Sequence, residues 1–405
     1  TNNYFFHNIF YMIGDLLEVR GVKFASISSG IKQNNALDLS LISFTKGTQT
    51  AAVFTQNIFC AAPVIVAKNH LNSNVKALLI NSGNANAGTG QKGLEDCLKT
   101  CEIFAGKLDI NSDQILPFST GVIGQLLSLE PFEKNTEKLV DSLSSSNMSD
   151  VSKGILTTDL VEKSCSISFA INGNNVTLSG IAKGSGMIRP DMATMLSFIV
   201  TDIGASKEEL YNCLDIAVNQ SFNRITVDGD TSTNDACTLS ATDQSSVQLN
   251  DCKEEFQNAL NEITKTLAQM IIKDGEGATK FVEIKVGGLS SVDDCLEVAY
   301  TVAHSPLVKT ALFASDANWG RILAAVGRSK VDEISIENID IFLNDLQIIS
   351  SGEISKDYTE AAGSLEMQKP EITIRISLGA AHTSESVWTT DLSYDYVKIN
   401  AEYRS

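Results

Sequence analysis

Histidine is scarce: His7, His70, His304 and His382 are the only four in 405 residues. No Gly-x-Ser-x-Gly elbow frames a serine, and Gly184-Ser185-Gly186 does not form one. A Ser-His-Asp hydrolase is therefore disfavoured, and a base for acyl-transfer chemistry has to come from outside the imidazoles. Basic charge is also short. Lys and Arg number 31 against 49 Asp and Glu, for a formal net charge of −18. That excess argues against nucleic acid or anionic membrane as a main partner, since both need basic patches. An anionic substrate must then meet a locally placed lysine or arginine. No apolar run reaches the ~18 residues of a membrane span. The opening TNNYFFHNIFYMIGDLLEVRG carries neither a basic leader nor a small-residue cleavage site, and Met12 is a candidate internal start. The expected location is cytoplasmic.

Eight cysteines, scattered from Cys60 to Cys295, do not make a disulfide framework in a chain of this size. Cys97 and Cys101 form the one close pair. They fall on an apolar helical stripe with Leu94, Leu98, Phe104 and Leu108, and no histidine stands near them, so packing outweighs zinc. Asn81–Gly90 (NSGNANAGTG) follows a strand pattern and precedes a helix, yet lacks both the G-x-G-x-x-G and the G-K-[ST] signatures. Its glycines are better assigned to a tight turn than to phosphate. Asp228, Asp230 and Asp235 cluster in TVDGDTSTND, but Gly229 is misplaced for an EF-hand and position twelve would be Leu239. Loop hydrogen bonding is the better account, and no metal or cofactor is expected.

What the sequence does contain is an alternation of strand and helix patterns. VKALLI (75–80) reads as a strand, 81–90 as a loop and 91–108 as a helix. SISFAINGNNVTLSGIA (166–182) reads as a hairpin turning at Asn172-Gly173. Ser206 and Glu209 form a capping box before Leu210, Leu214, Ala217 and Val218. A second helix over about 252–273 aligns Phe256, Leu260, Ile263, Leu267 and Met270. Beyond residue 280 strands dominate in FVEIKV, IDIFLN, LQIISSG and ITIRIS. The expected class is α/β (α+β), with layered sheets flanked by helices and a β-rich C-terminal part from about residue 285.

One junction stands out. In KGSGMIRPDMATMLSFIVTD (183–202), a glycine- and proline-punctuated loop runs through Ala193-Thr194 directly into an apolar strand. Thr194 could simply open that strand, as threonine often does. The sharper reading is that the Ala193–Thr194 bond is cut. Thr194 would then carry its own α-amine, with a reference pKa of ~7.7–8, as general base for its hydroxyl. Nucleophile and base would be one residue, which fits a chain poor in histidine.

This segment is close to the self-cleavage segment of the glutamate N-acetyltransferases, also called ornithine acetyltransferases, and the chain resembles that family along nearly its whole length. The likeness runs through NSGNANAGTG, STGVIG (119–124), GILTTD (154–159), SFNRITVDGDTSTND (221–235), DGEGATKF (274–281), ANWGRILAAVG (317–327) and the closing YDYVKINAEYRS. Asp191 and Ala317 depart from the family's usual Asn and Pro.

The resemblance implies an N-terminal-nucleophile-like fold, self-cleaved into chains 1–193 and 194–405 that stay together. Within the second chain the strand pattern sets a boundary between about 194–284, completing the main catalytic domain, and a C-terminal subdomain of about 285–405. The resemblance implies Thr194 as the acetyl-carrying nucleophile of a ping-pong transfer from N2-acetylornithine to glutamate. Thr120 and Gly121 map to the oxyanion hole. Thr157 (with Thr158 as the alternative), Lys183, Glu276, Asn400 and Ser405 map to substrate contacts, Lys183 suiting the carboxylate and Glu276 the δ-ammonium. Acetyl-CoA serves some members as a further donor, which this sequence leaves open. A heterotetramer of two copies of each chain is the implied assembly. The competing readings are a self-processing aminopeptidase or amidase of the same fold and a two-chain binding protein.

Overall fold

The computed structural model describes residues 3–6, 9–189 and 195–402. The chain divides into two compact units, Thr1–Asn223 with Asp230–Ile271, and Arg224–Gly229 with Ile272–Ser405.

In the first unit two sheets lie face to face between helical layers. The larger sheet has seven strands, in the order Asn3–Phe6, Ile9–Ile13, Lys163–Ile171, Asn174–Lys183, Leu196–Thr201, Ala236–Ala241 and Gln49–Phe54. The smaller has four: Val22–Ile27, Leu39–Phe44, Ala77–Asn84 and Ile115–Val122. Leu196–Thr201 is buried at every position, the signature of a strand covered on both faces. Phe24, Ile42, Leu78 and Phe118 of the smaller sheet pack on Ile181, Leu196 and Phe198 of the larger. Phe118 and Phe198 meet edge to face at 5.1 Å between centroids. The opposite face of the small sheet is covered by helices Ala62–His70, Gly90–Leu108 and Glu130–Asp141 through Val66, Cys101, Phe104 and Phe132. On the large sheet's outer face, a Cβ at Gly180 would meet Ile263 and Leu267 of the long helix Lys253–Lys273 at 3.0 Å, so that glycine admits a close helix approach.

The hairpin forms as expected, with Asn172 (φ 50°) and Gly173 (φ 82°) in the left-handed region a type I′ turn requires. The capping box closes as expected: Ser206 accepts from the Glu209 N–H and the Glu209 carboxylate accepts from the Ser206 N–H. Three details differ. The strand expected at 75–80 runs over Ala77–Asn84, because NSGN continues the ladder with Ile115–Val122 and shifts register only at Gly83 and Asn84. Leu98 is exposed although Cys97 and Cys101 are buried as expected, since the helix turns position 98 away from the sheet. Met270 is only partly buried, whereas Phe256, Leu260, Ile263 and Leu267 lie in the core.

The second unit holds a seven-stranded sheet in the order Ile225–Thr226, Ser384–Thr390, Phe281–Gly287, Glu371–Ser377, Asp340–Leu343, Leu346–Ser350 and Glu353–Ile354. The four strand patterns read beyond residue 280 are all present. Between and after them lie the helices Val292–Ala303, Pro306–Phe313, Trp319–Gly327, Glu360–Met367 and Tyr394–Ala401, which the strand-dominated reading left unplaced. Four of these helices join the core through Val298, Val302, Leu312, Ile322, Val326 and Met367, against Ile284, Ile374 and Val387 of the sheet.

Candidate active site

Lys183 ends the strand Asn174–Lys183 and pairs in register with Leu196, the two strands bracketing residues 184–195. Its Nζ donates to Thr120 Oγ1 at 3.2 Å and to Thr157 Oγ1 at 2.8 Å. Three residues singled out from separate parts of the sequence thus converge on one ammonium in the first unit. Thr120 and Gly121 lie near the end of Ile115–Val122 in the smaller sheet, so Lys183 reaches from one sheet to the other.

Gly121 has φ +132°, and a Cβ there would fall 2.4 Å from the Gly83 carbonyl carbon. No side chain fits, and the backbone turns out of regular ladder geometry beside Thr120. The adjacent loops are tied down by amides. Asn234 Nδ2 donates to Ala85 O at 2.6 Å and Ser119 O at 2.9 Å. Ser119 Oγ donates to Asn81 Oδ1, whose own amide donates to Asn84 O. Asn86 accepts from Thr89 Oγ1 and donates to Gly93 O. The asparagine-rich loop therefore satisfies its own turns, as the sequence suggested when it lacked a phosphate signature.

Beneath Lys183 is a carboxylate the sequence reading did not single out. The Asp159 side chain is fully enclosed. Its Oδ1 accepts from Lys163 Nζ at 2.7 Å and from the Gly184 N–H at 2.7 Å, and its Oδ2 accepts from the Thr157 N–H at 3.0 Å. Lys183 Nζ lies 4.0 Å from Oδ2. Burial alone would raise the Asp159 carboxyl, but the Lys183 and Lys163 ammoniums and the Thr157 N–H together hold it well below the usual carboxylate range. Lys163 is itself fully buried, donating also to Val161 O. Nearby, Lys32 Nζ donates to Leu156 O and Leu37 O. Its ammonium is depressed by burial, which the Asp38 carboxylate opposes and Lys183 reinforces.

Asp235 is a second buried carboxyl that the sequence reading had assigned to loop hydrogen bonding. Its Oδ2 has no hydrogen-bond partner among the described residues. Burial pushes its pKa well above the usual range, against the pull of Ser232, the Met195 N–H and Lys183. Met195 is bonded to Thr194, so this carboxyl meets the residue next to the expected nucleophile. The signal that could have found it was the apolar run that follows directly, ACTLSA, buried at every position.

In the second unit, Asn400 Nδ2 donates to Glu276 Oε2 at 2.8 Å and to Tyr396 O at 3.0 Å. Glu276 is buried, unlike an ordinary turn glutamate. Ser393 Oγ caps the last helix and donates to Gly277 O at 2.6 Å, which docks that helix on the 274–280 turn. Ala193, Thr194 and Ser405 lie outside the described residues. Among the described residues no group of three or more His, Cys, Asp or Glu is placed to hold a metal ion, and no helix is long and apolar enough to cross a membrane.

The ArgJ family profile matches residues 23–405, and the chain belongs to that family. It is 49% identical over 392 residues to the arginine biosynthesis bifunctional protein ArgJ of Pseudomonas fluorescens, covering 96% of this chain and 97% of that protein. The protein of the same name from Methylococcus capsulatus is 48% identical over 394 residues, with the same coverage of 96% and 97%. The crystal structure of Bacillus halodurans ArgJ is 36% identical with a TM-score of 0.49, over 52% of this chain and 100% of that one.

Proposed function

We propose that this enzyme is an acyltransferase of arginine biosynthesis that moves the acetyl group of N2-acetylornithine to glutamate through an acetyl ester on Thr194. The observation that carries the reading is the convergence of Thr120 and Thr157 on the Lys183 ammonium. Cleavage of the Ala193–Thr194 bond frees the Thr194 α-amine. That amine takes the hydroxyl proton as Thr194 Oγ attacks the acetyl carbonyl. The oxyanion forms between the Thr120 hydroxyl and the Gly121 N–H. A hydroxyl has one donor and two acceptor positions. Lys183 occupies an acceptor position of Thr120, leaving the hydroxyl proton to point at the oxyanion. Collapse returns the proton to the departing ornithine α-amine, and the glutamate α-amine then attacks the ester by the same steps in reverse.

Lys183 receives the α-carboxylate common to both substrates, with Thr157 beside it. The resemblance assigns the ornithine δ-ammonium to Glu276, held by Asn400, and to Ser405. The two chains, 1–193 and 194–405, remain associated, and pair again as a heterotetramer in the cytoplasm. The reaction requires no resident cofactor, and acetyl-CoA stands as an additional donor. Mass spectrometry of protein treated with N2-acetylornithine alone tests the scheme: the peptide beginning at Thr194 gains one acetyl group and loses it on adding glutamate. An unmodified peptide, or acetate released to water without glutamate, overturns it and favours a hydrolase.

A further inference from the structure

The mapped substrate contacts account for Lys183 but not for the buried pair below it. Asp159 gathers three donors on one carboxylate: the Thr157 N–H, the Gly184 N–H and the Lys163 ammonium. The first comes from Thr157 itself and the second from the residue after Lys183. Lys163 offers no polar atom to solvent, because its side chain is fully enclosed. Its effect on the site is therefore transmitted through buried contacts such as Asp159 and through its charge. A buried cation and anion at this separation interact far more strongly than a surface pair.

We propose that Asp159 and Lys163 are a positioning pair that sets the charge Lys183 presents to the substrate carboxylate. Asp159, 4.0 Å from Lys183, stabilises its ammonium, while Lys163, at 2.7 Å from the same carboxylate, takes up most of that anion. Lys183 is thus kept charged beside an anion that Lys163 already engages. Other charged groups face it as well: Lys32, itself set against Asp38, and the buried Asp235. Burial pushes the Asp235 carboxyl up, toward its neutral form, against the pull of Lys183. Among the described residues, Lys32, Lys163 and Lys183 then face the Asp38 and Asp159 carboxylates. The inference rests on the reading of Lys183 as the carboxylate contact.

The test uses the reverse half-reaction with N-acetylglutamate as donor, because its carboxylates stay ionised throughout the alkaline range. Its kcat/KM reports the free enzyme's titration. Asp159→Asn removes the anion and is expected to move the alkaline limb to lower pH by more than about one unit. Lys163→Met removes the competing cation and is expected to move the limb to higher pH. Opposite shifts are the signature, since loss of structure alone gives neither. Limbs that stay in place, or that move the same way in both variants, overturn the pair's role. Should Asp159→Asn fail to fold, Lys163→Met decides alone: a limb that stays or moves to lower pH overturns the proposal. Lys183→Met separates this from the underlying reading. If it leaves KM for N-acetylglutamate unchanged, Lys183 is not the carboxylate contact and the functional reading falls first.

Discussion

At the scale of single residues, the site depends on buried polar groups whose charge state is set by what surrounds them. Asp235 and Asp159 are both carboxyls enclosed near Lys183, and they are driven in opposite directions. Asp159 has two lysines and two backbone N–H donors, enough to outweigh desolvation. Asp235 has weaker support, and desolvation wins. The sign of the consequence follows from linkage. A carboxyl whose folded pKa is raised contributes stability that is fully present below its unfolded pKa of ~3.9 and is lost as pH rises through the folded value. Wild-type protein is therefore expected to lose stability relative to Asp235→Asn as pH climbs from about 4 toward neutrality, because Asn has no proton to release. Denaturant unfolding of both proteins across that range checks it. A difference independent of pH would show that Asp235 is ionised in the folded state.

At the scale of elements, the C-terminal helix Tyr394–Ala401 docks on the 274–280 turn with a very close backbone approach. Gly277 has φ +66°, and a Cβ there would fall 2.4 Å from the Tyr396 N. Gly277→Ala must therefore push the helix away from the 274–280 turn and part Asn400 from Glu276. KM for N2-acetylornithine is expected to rise about tenfold or more, the loss of a charge-assisted hydrogen bond, with kcat for the acetyl half-reaction less affected. An unchanged KM would detach the Glu276–Asn400 pair from substrate binding. Elements of this kind differ in how far the sequence foretold them. The Asn172-Gly173 hairpin and the Ser206–Glu209 box were legible because their cause is local, a φ requirement in one and a side-chain cap in the other. The strand through Asn81–Asn84 was hidden by turn-forming residues, since its ladder with Ile115–Val122 is a nonlocal fact. The resemblance supplied Thr120, Thr157 and Lys183, and no local pattern announced that they meet. Asp159 escaped notice because its burial depends on nonlocal ties to Gly184 and Lys183, which its local partners Lys163 and Thr157 do not reveal.

At the scale of the whole molecule, the place of the Ala193–Thr194 bond decides what cleavage does to the fold. Cleavage there would divide the seven-stranded sheet of the first unit between two chains. Residues 1–193 supply Asn174–Lys183 and Gln49–Phe54, while 194–405 supply Leu196–Thr201 and Ala236–Ala241. The order interleaves them: the two strands of the second chain lie side by side, between Asn174–Lys183 on one flank and Gln49–Phe54 on the other. Six residue pairs join Leu196–Thr201 to Asn174–Lys183, and six more join Ala236–Ala241 to Gln49–Phe54. Separation would have to break both antiparallel ladders at once. It would also expose Phe198, Ile199 and Leu239, all fully buried. Burying a large apolar side chain is worth ~1.5–3 kcal/mol each, so the loss is far beyond what native conditions supply. Cleaved protein is accordingly expected to elute as one species in native size-exclusion chromatography and to resolve into fragments 1–193 and 194–405 only in denaturant. Two separate native peaks would mean that the sheet does not hold the chains together. A single band in denaturant would mean instead that the bond before Thr194 is intact, and with it the proposed source of the catalytic amine would be gone.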